Sequence, residues 1–392
     1  MNPLAPATRL PRAAPARVLA CGAYLKNRAC LVDGDRVSWS AAHGDLGGAG
    51  GREALAQSLE QMLARAAGPV QAVACDLHPD FYSTRLAHAI AQRLGVPVIG
   101  VQHHHAHTGV VLAELGMVQA VIGVALDGMG LGTDGAAWGG EVLWVPGADA
   151  TQAWCRLDHL ATLAQPGGDA AAHEPWRLAA AVLFALGRGD EIVARFAPAV
   201  GDSAARVLHG MLQCALNCPP SSSAGRWFDA AAGALGLRLR QGSEAEAAIA
   251  LEALATGWLA RHGEAVFDWP SLDLAPLVGE LFALRTGGGD ALARGAAQFH
   301  LALASALVRC VAGHAARLDC RRVVLSGGCL ANRVLRAALR AGLQRHDLQV
   351  LEPQGAGCGD AGLALGQAWL AAHTVAQQRV PQHADRPLAL EF

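Results

Sequence analysis

Four of the 16 histidines in the chain fall within five positions, as His103, His104, His105 and His107. They follow the short apolar run VPVIGV and precede VVLAEL, which is typical of a helix. If that helix begins near His103, then His103 and His107 lie one turn apart on the same face. Neutral imidazoles at this spacing suit iron, zinc, nickel and copper alike. A polar helix start, in which histidines only cap or form hydrogen bonds, explains the same residues, so the spacing alone leaves both interpretations open.

Lys26 is the only lysine among 31 lysine and arginine residues. The surrounding segment, residues 17–40, alternates in the manner of a β-hairpin and places Lys26 at its tip. Turn amides and a compact ammonium group at such a tip are suited to holding a phosphate. An arginine-biased composition that left one lysine by chance is the alternative.

Four glycine-rich or acidic turns follow predicted strands or precede predicted helices, within residues 125–135, 222–236, 325–333 and 355–366. In open α/β sheets, ligands bind at these strand ends, and glycines there let backbone amides approach a phosphate closely. Candidate nucleotide-binding residues are therefore Gly128, Gly130, Gly225, Asp229, Gly327, Gly328 and Asn332.

Asp127 ends one of these apolar strands, and Asp360 lies near the start of a predicted helix. Together with the histidines, these two carboxylates suggest a metal bound to the phosphates of a nucleotide. A set of two histidines and two aspartates suits iron(II), zinc or manganese. For Asp229 and Asp360, capping of a helix is the simpler alternative.

Composition narrows the class of protein. A chain of 392 residues is long enough for two core-bearing lobes. The sequence contains no apolar run long enough to predict a membrane span, and a net charge of −2 without a basic block predicts no nucleic-acid surface. The ten cysteines are scattered without a CxxC pair, which favours reduced thiols and a cytoplasmic protein. A hydrolase is disfavoured because no GxSxG motif occurs and Cys329 and Cys358 lack a local histidine partner.

The order of predicted strands and helices appears twice. Three strands precede alternating helices and strands up to the histidines, and the pattern restarts near residue 119. We therefore expect a loose tail over residues 1–16, a first lobe over 17–118 and a second lobe over 119–392. The second lobe would carry a helical insertion at about 173–315. A cleft between two such lobes is a natural ligand site.

The series of motifs resembles the C-terminal carbamoyltransferase region of the HypF family of hydrogenase-maturation proteins. The resemblance extends from about residue 17 to 370 and is carried by LACGAYLKNRACL, HGDL, ACDLHPDFYSTRLA, VQHHHAH, VALDGMGLGTDGAAWGGE, PGGDAAAHEPWRLA, SSAGRWFDA, VVLSGGCLANRVL and GDAGLALGQA. It implies an α/β fold of the actin-like, sugar-kinase type, with two RNase-H-like lobes. By the family pattern, His103, His107 and Asp360 would be metal ligands and Asp127 the fourth.

The activity implied by this resemblance is transfer of a carbamoyl group from carbamoyl-adenylate to the C-terminal cysteine of HypE. The product would supply cyanide ligands to [NiFe]-hydrogenase. The metal, iron(II) or zinc, would polarise the mixed anhydride as a Lewis acid. Lys26 would neutralise phosphate charge, and His104 would orient the carbamoyl group.

The chain also departs from the family pattern. It lacks the acylphosphatase, CxxC zinc and YrdC-like adenylating regions that the family carries upstream, so we expect a separate adenylating protein to supply carbamoyl-adenylate from carbamoyl phosphate and ATP. The family's YEGQAA segment reads SEAEAA at residues 243–248, with Ala245 in place of glycine. An O-carbamoyltransferase acting on a small-molecule hydroxyl and an inactive nucleotide-binding scaffold are the alternative functions.

Overall fold

The first part of the chain forms a mixed sheet with helices on its faces. The structure is a computed structural model that describes residues 5–148, 152–263 and 265–379. The strands are β1 (Ala5–Arg9), β2 (Val18–Ala20), β3 (Cys30–Asp33), β4 (Arg36–Trp39), β5 (Ala72–Asp76) and β6 (Val98–Val101). The helices are α1 (Ala49–Arg65), α2 (Tyr82–Leu94) and α3 (His103–Glu114). The sheet order is β1-β4-β3-β2-β5-β6.

The remainder forms a second sheet and a helical region inserted into it. The strands are β7 (Val121–Leu131), β8 (Ala137–Val145), β9 (Cys155–His159), β10 (Leu163–Ala164), β11 (Pro220–Ser221), β12 (Arg322–Ser326) and β13 (Gln349–Leu351). The inserted helices are α4 (Asp169–His173), α5 (Pro175–Ala185), α6 (Glu191–Val200), α7 (Asp202–Gln213), α8 (Ala224–Leu235), α9 (Glu246–His262), α10 (Ala275–Leu284) and α11 (Gly288–Leu318). Helices α12 (Arg333–Gln344) and α13 (Leu363–Arg379) complete the chain, with short 3-10 helices at Gly328–Ala331 and Asp360–Gly362.

The two sheets repeat one strand order. In the first, β4, β3 and β2 are antiparallel neighbours, and β5 and β6 continue the sheet parallel to β2. In the second, β9, β8 and β7 are antiparallel, and β12 and β13 continue parallel to β7. Parallel neighbours require a crossover connection, which α1 and α2 supply in the first sheet and the inserted helices and α12 supply in the second. The expected repetition of two α/β units is therefore present in the structure.

Helices α3 and α13 lie between the two sheets. Their buried residues share one apolar cluster with residues of both sheets, among them Val18, Ala74, Val121 and Val324. Glycine lets the two helices approach closely, because a Cβ at Gly366 would lie 1.8 Å from the carbonyl oxygen of Ala106. The position of α3 relative to α13 is therefore fixed by backbone contact.

The structure differs from the sequence-based domain expectations at both ends. Within the expected loose tail, residues 5–9 pair with β4, and Leu10 and Ala14 are buried. Residues 1–4 of that tail lie outside the described residues. The expected second lobe includes α13, yet α13 packs against α3, β5 and β2. Both differences depend on long-range packing, which local patterns do not report.

Helix α11 is long and apolar enough to cross a membrane by length and composition, and no other helix of the described residues is. Most of its apolar residues, including Phe299, Leu303 and Leu307, are buried in the core of the second lobe. Burial of this kind is typical of the central helix of a globular core.

Candidate metal centre and cleft

The histidine cluster begins α3, as the sequence predicts. Gln102 caps the helix, because its side-chain oxygen accepts a hydrogen bond from the backbone N–H of His105 at 2.9 Å. The histidines of this first turn are buried between the lobes. His103 and His107 lie one turn apart with their rings 4.9 Å between centroids, so the expected shared face is confirmed.

Two carboxylates complete a four-residue group. His103, His107, Asp127 and Asp360 each offer one potential ligand atom, and these atoms lie within 4.8 Å of one another. Asp127 Oδ2 is 3.1 Å from Nε2 of both histidines. Asp360 Oδ1 is 3.5 Å from His103 Nε2 and 3.4 Å from His107 Nε2. The structure thus brings together the four residues for which the sequence predicts metal binding.

Asp76 orients the first histidine from outside this group. Its Oδ2 accepts a hydrogen bond from Nδ1 of His103 at 2.8 Å, and its Oδ1 accepts one from the backbone N–H of His78. With Nδ1 engaged by Asp76, His103 presents Nε2 to Asp127 and Asp360. Metal-binding histidines commonly have such a carboxylate partner. Sequence reasoning missed Asp76, although it lies in the quoted ACDLHPD segment at the end of β5.

The electrostatics of the group fit a divalent cation. Burial opposes protonation of the imidazoles, but the neighbouring carboxylates raise the pKa of His103 well above its ordinary value and also raise that of His107. Burial likewise opposes ionisation of the carboxylates, yet the histidines hold the pKa of Asp127 well below its ordinary value and lower that of Asp360 to about 2. The pair of carboxylates attracts positive charge, which a divalent cation supplies while leaving both imidazoles neutral. Two nitrogen and two oxygen donors at these separations suit iron(II) or zinc.

Glycines bring the turns of the second lobe against Asp127. The backbone N–H of Gly328 donates to Asp127 Oδ1 at 3.2 Å. Gly327 has φ +94°, and a Cβ there would lie 2.3 Å from the carbonyl oxygen of Leu126. A Cβ at Gly130 would lie 2.7 Å from Cβ of His103. These glycines therefore permit the close packing that places the carboxylate.

Gly225, at the start of α8, also allows close packing, in this case against Gly128. A Cβ on Gly225 would lie 3.2 Å from Cα of Gly128, and Ser223 caps α8 by accepting from the backbone N–H of Arg226. Gly128 itself has open space where a Cβ would be. The predicted role of these turns in nucleotide binding stays a prediction, supported by their position around Asp127.

Glu114 tethers the loop that carries Asp360. At the end of α3, its carboxylate accepts hydrogen bonds from the backbone N–H groups of Gln354, Gly355 and Ala356 at 2.6, 2.8 and 2.5 Å. One end of α3 thus supplies the histidines, and the other end holds the approach to Asp360. No local signal in the sequence indicates this role of Glu114, because its partners lie some 240 residues away.

Lys26 lies at the tip of the β2–β3 connection and reaches across to the second lobe. Its Nζ is 2.7 Å from Oε2 of Glu244. Partial burial opposes the charge, but Glu244 and the fields of Asp360 and Asp127 raise the pKa of Lys26. Ala245 adopts a left-handed backbone, φ +60°, before α9, a conformation that costs a residue other than glycine some strain.

His104 and His105 have different surroundings. Gln102 donates to Nδ1 of His104 at 3.0 Å, and Nε2 of His104 is buried without a partner in the described residues. Burial lowers the pKa of His104 well below its ordinary value, so it is a neutral imidazole with an N–H donor at Nε2. The ring of His105 packs on Trp154, 4.7 Å between centroids, and burial lowers its pKa to about 3.

Two predicted nucleotide-binding residues are engaged within the protein. Asp229 pairs with Arg226 at 2.7 Å and accepts from Gln241 at 3.1 Å. Asn332 accepts from the backbone N–H of Leu335 as the cap of α12, and its amide nitrogen donates to His300 at 2.9 Å. Structural roles account for these contacts, and nucleotide binding by Asp229 and Asn332 stays a prediction.

Comparison with known proteins shows which family the chain belongs to. Residues 13–114 match the family described as "HypF Kae1-like domain", and residues 123–367 match "Carbamoyltransferase, Kae1-like Domain, second subdomain". The chain is 56% identical over 376 residues to the "Carbamoyltransferase HypF homolog" of Cupriavidus necator, covering 94% of each chain. The chain belongs to the HypF family of carbamoyltransferases.

Other HypF relatives are longer than this chain. HypF2 of Cupriavidus necator is 43% identical, and the match covers 96% of this chain but 48% of the relative. The T. kodakarensis HypF structure superposes with a TM-score of 0.83 at 28% identity, covering 95% of this chain and 49% of that one. A full-length HypF in a phosphate- and nucleotide-bound form superposes with a TM-score of 0.81 at 26% identity, covering 94% and 48%. The chain spans about half the length of these HypF proteins.

These superpositions confirm the expected fold class. The chain has the α/β, two-lobed fold of the actin-like ATPases, as HypF does, with the helical insertion in the second lobe. The histidines lie at the start of α3, which crosses from the first sheet to the second, and Asp127 lies in the second lobe.

Proposed function

We propose that this chain transfers a carbamoyl group from carbamoyl-adenylate to the C-terminal cysteine of a HypE-like acceptor protein. Its product would be dehydrated to the cyanide ligands of [NiFe]-hydrogenase. The observation that carries the proposal is the convergence of His103, His107, Asp127 and Asp360 in a chain of the HypF family. The donor would be made from carbamoyl phosphate and ATP.

His103, His107, Asp127 and Asp360 would hold the divalent metal, iron(II) or zinc, which supplies Lewis-acid polarisation to a bound phosphate or carbonyl oxygen. Asp76 keeps the proton of His103 on Nδ1, so that Nε2 is free to donate its lone pair. Gly328 fixes one oxygen of Asp127, leaving the other directed at the histidines.

The transfer itself needs a thiolate, a positioned carbamoyl carbon and a leaving group. The acceptor sulfur forms a bond to the carbamoyl carbon, the bond from that carbon to the phosphate oxygen breaks, and AMP leaves with the electron pair. Lys26 neutralises the phosphate charge that develops, and the amides near Gly128 and Gly130 do the same. The Nε2–H of His104, buried and without a partner among the described residues, donates to the carbamoyl or phosphate oxygen.

The experiment supplies metal-loaded protein with carbamoyl-adenylate and a HypE acceptor, and follows the mass of the acceptor. We expect one added carbamoyl group on the C-terminal cysteine and none on an acceptor whose cysteine is replaced by serine. His107→Ala should abolish transfer. His105→Gln is the matched control, because His105 lies on the same helix and packs against Trp154 instead of the aspartates.

Two outcomes would contradict the proposal. Transfer to small-molecule hydroxyls with an unmodified acceptor would favour an O-carbamoyltransferase. An unmodified acceptor with protein that neither contains nor rebinds metal would favour the nucleotide-binding scaffold.

A further inference from the structure

A second group of potential ligands lies outside the cleft residues. Among the described residues, Asp158, Cys310 and His314 also offer ligand atoms within 4.8 Å of one another. Cys310 and His314 lie four residues apart on α11 and therefore share one face of that helix. Asp158 comes from β9, which pairs with β8 at the side of the second sheet. None of these residues takes part in the proposed transfer.

The two distances from Asp158 to the other residues of this group match those between ligands of a tetrahedral metal. Asp158 Oδ2 lies 3.5 Å from Cys310 Sγ and 3.6 Å from His314 Nε2. Zinc bonds of about 2.3 Å to sulfur and about 2.0 Å to nitrogen or oxygen, at tetrahedral angles, separate ligand atoms by roughly 3.3–3.6 Å. The side chains are therefore spaced for an ion without a large movement of the backbone.

The surroundings give an ion access from one side. The side chain of His314 is buried, that of Cys310 is half-buried, and that of Asp158 is 45% exposed. The remaining oxygen, Oδ1 of Asp158, accepts a hydrogen bond from the backbone N–H of His159 at 2.9 Å, which orients the carboxylate. The inner ligands are thus held by α11, and the exposed side leaves room for a water molecule as a fourth ligand.

We propose that Asp158, Cys310 and His314 form a second metal site, with zinc as the ion it suits best. Thiolate, imidazole and carboxylate together are typical zinc ligands, whereas magnesium and calcium take oxygen ligands. On binding, the thiol proton of Cys310, which now donates to Asp158, passes to solvent and a zinc–sulfur bond forms.

One contact must change when the ion binds. Arg317 Nη2 donates to Nδ1 of His314 at 2.7 Å. Coordination through Nε2 leaves the proton on Nδ1, so the guanidinium must turn away. Arg317 is exposed on the last turn of α11 and is free to do so. The ion would join β9 to the longest helix of the insertion, and we expect it to stabilise that junction.

Titration with Co²⁺ tests this site, because only a thiolate ligand gives a sulfur-to-cobalt charge-transfer band in the near ultraviolet. The four residues of the cleft group offer nitrogen and oxygen donors only. We expect the wild-type protein and His107→Ala to show the band, and Cys310→Ser to lose it. His314→Gln should weaken cobalt binding at least about tenfold, since one of three protein ligands is removed.

Cys214→Ser is the matched control, because Cys214 is an exposed thiol of the same lobe outside both groups. It should retain the band at full intensity. Zn²⁺ should bleach the band and raise the Tm of the wild-type protein above that of Cys310→Ser. Absence of the band, or a band of equal intensity in Cys310→Ser, overturns the proposal. Neither result affects the proposed carbamoyl transfer, which His107→Ala tests separately.

Discussion

The two groups of potential metal ligands differ in how the chain builds them. In the cleft, His103 and His107 come from one helix, Asp127 comes from strand β7, and Asp360 comes from a short 3-10 helix far along the chain. The other group takes two of its three residues from α11 and one from β9. The cleft group has an outer carboxylate, Asp76, that fixes a histidine tautomer, whereas the other has Arg317 donating to its histidine.

This difference indicates different purposes. An outer carboxylate raises the basicity of a histidine and holds its orientation, which suits a metal that must be retained through catalytic turnover. A cationic donor on the imidazole opposes coordination until it moves away. The carboxylates of the cleft group also raise the pKa of Lys26, the proposed phosphate contact, while the Asp158 group lies at the side of the second sheet. We therefore expect tighter binding and chemistry in the cleft, and weaker, stabilising binding at Asp158.

The largest effect should come from removing a cleft ligand. Asp360→Asn should lower carbamoyl transfer by more than about a hundredfold. Loss of a residue that only hydrogen-bonds to a metal ligand already lowers metal affinity or activity by about 10- to 100-fold, and Asp360 is a proposed ligand itself. Metal content measured by mass spectrometry should fall by one ion per chain, while the cobalt–thiolate band of the Asp158 group persists. Full activity in Asp360→Asn would contradict the assignment of this group.

Asp76→Asn tests whether the outer carboxylate distinguishes the two groups. We expect metal affinity in the cleft to fall about 10- to 100-fold, since His103 loses its tautomer-fixing partner. A competitive chelator titration measures the affinity, and NMR of labelled histidine reports the protonated nitrogen. Asp80→Asn, an exposed carboxylate of the same loop, is the control. An unchanged affinity with an unchanged tautomer would show that Asp76 has only a structural role.

Lys26→Met should lower transfer by about tenfold, because a cation that neutralises developing phosphate charge is lost. We expect no larger effect, since the Lys26 side chain is 58% exposed and solvent screens its charge. Metal content should not change. Glu244→Gln is the informative partner, because it frees Lys26 from its ion pair across the cleft. We expect tighter binding of AMP in Glu244→Gln, measured by calorimetry. Equal AMP affinity in both variants and the wild type would exclude Lys26 from phosphate binding.

The smallest expected effect concerns the Asp158 group. Arg317→Ala removes the hydrogen bond to Nδ1 of His314, which must break before His314 can bind a metal through Nε2. Cobalt affinity should therefore rise by about threefold, the effect expected from the loss of one weak, exposed hydrogen bond. Arg309→Ala is a control on the same helix, since Arg309 pairs with Asp268. Weaker cobalt binding in Arg317→Ala would show that the arginine supports the site instead of competing with it.

Much of the fold and part of the site can be predicted from the sequence. Apolar periodicity predicts the strands and helices around the histidines, and the repeated order predicts two α/β units. The HxxxH spacing predicts the shared face of His103 and His107. Asp76 could not be found in this way, because its contact with His103 depends on the parallel register that sets Asp76 beside Val101. The Asp158 group likewise depends on the packing of β9 against α11.

The sequence by itself determined the imidazole pair, the lone ammonium of Lys26 and the glycine turns, since these depend on local spacing and residue type. Tertiary structure decided which carboxylates meet the histidines. Gly366 lets α13 contact α3, and Glu114 holds the loop before Asp360, so two segments far apart in the chain are fixed at ligand distance. The tertiary structure also decided that Lys26 contacts Glu244 across the cleft. Such long-range contacts depend on the packing of whole helices and sheets, which no short stretch of sequence determines.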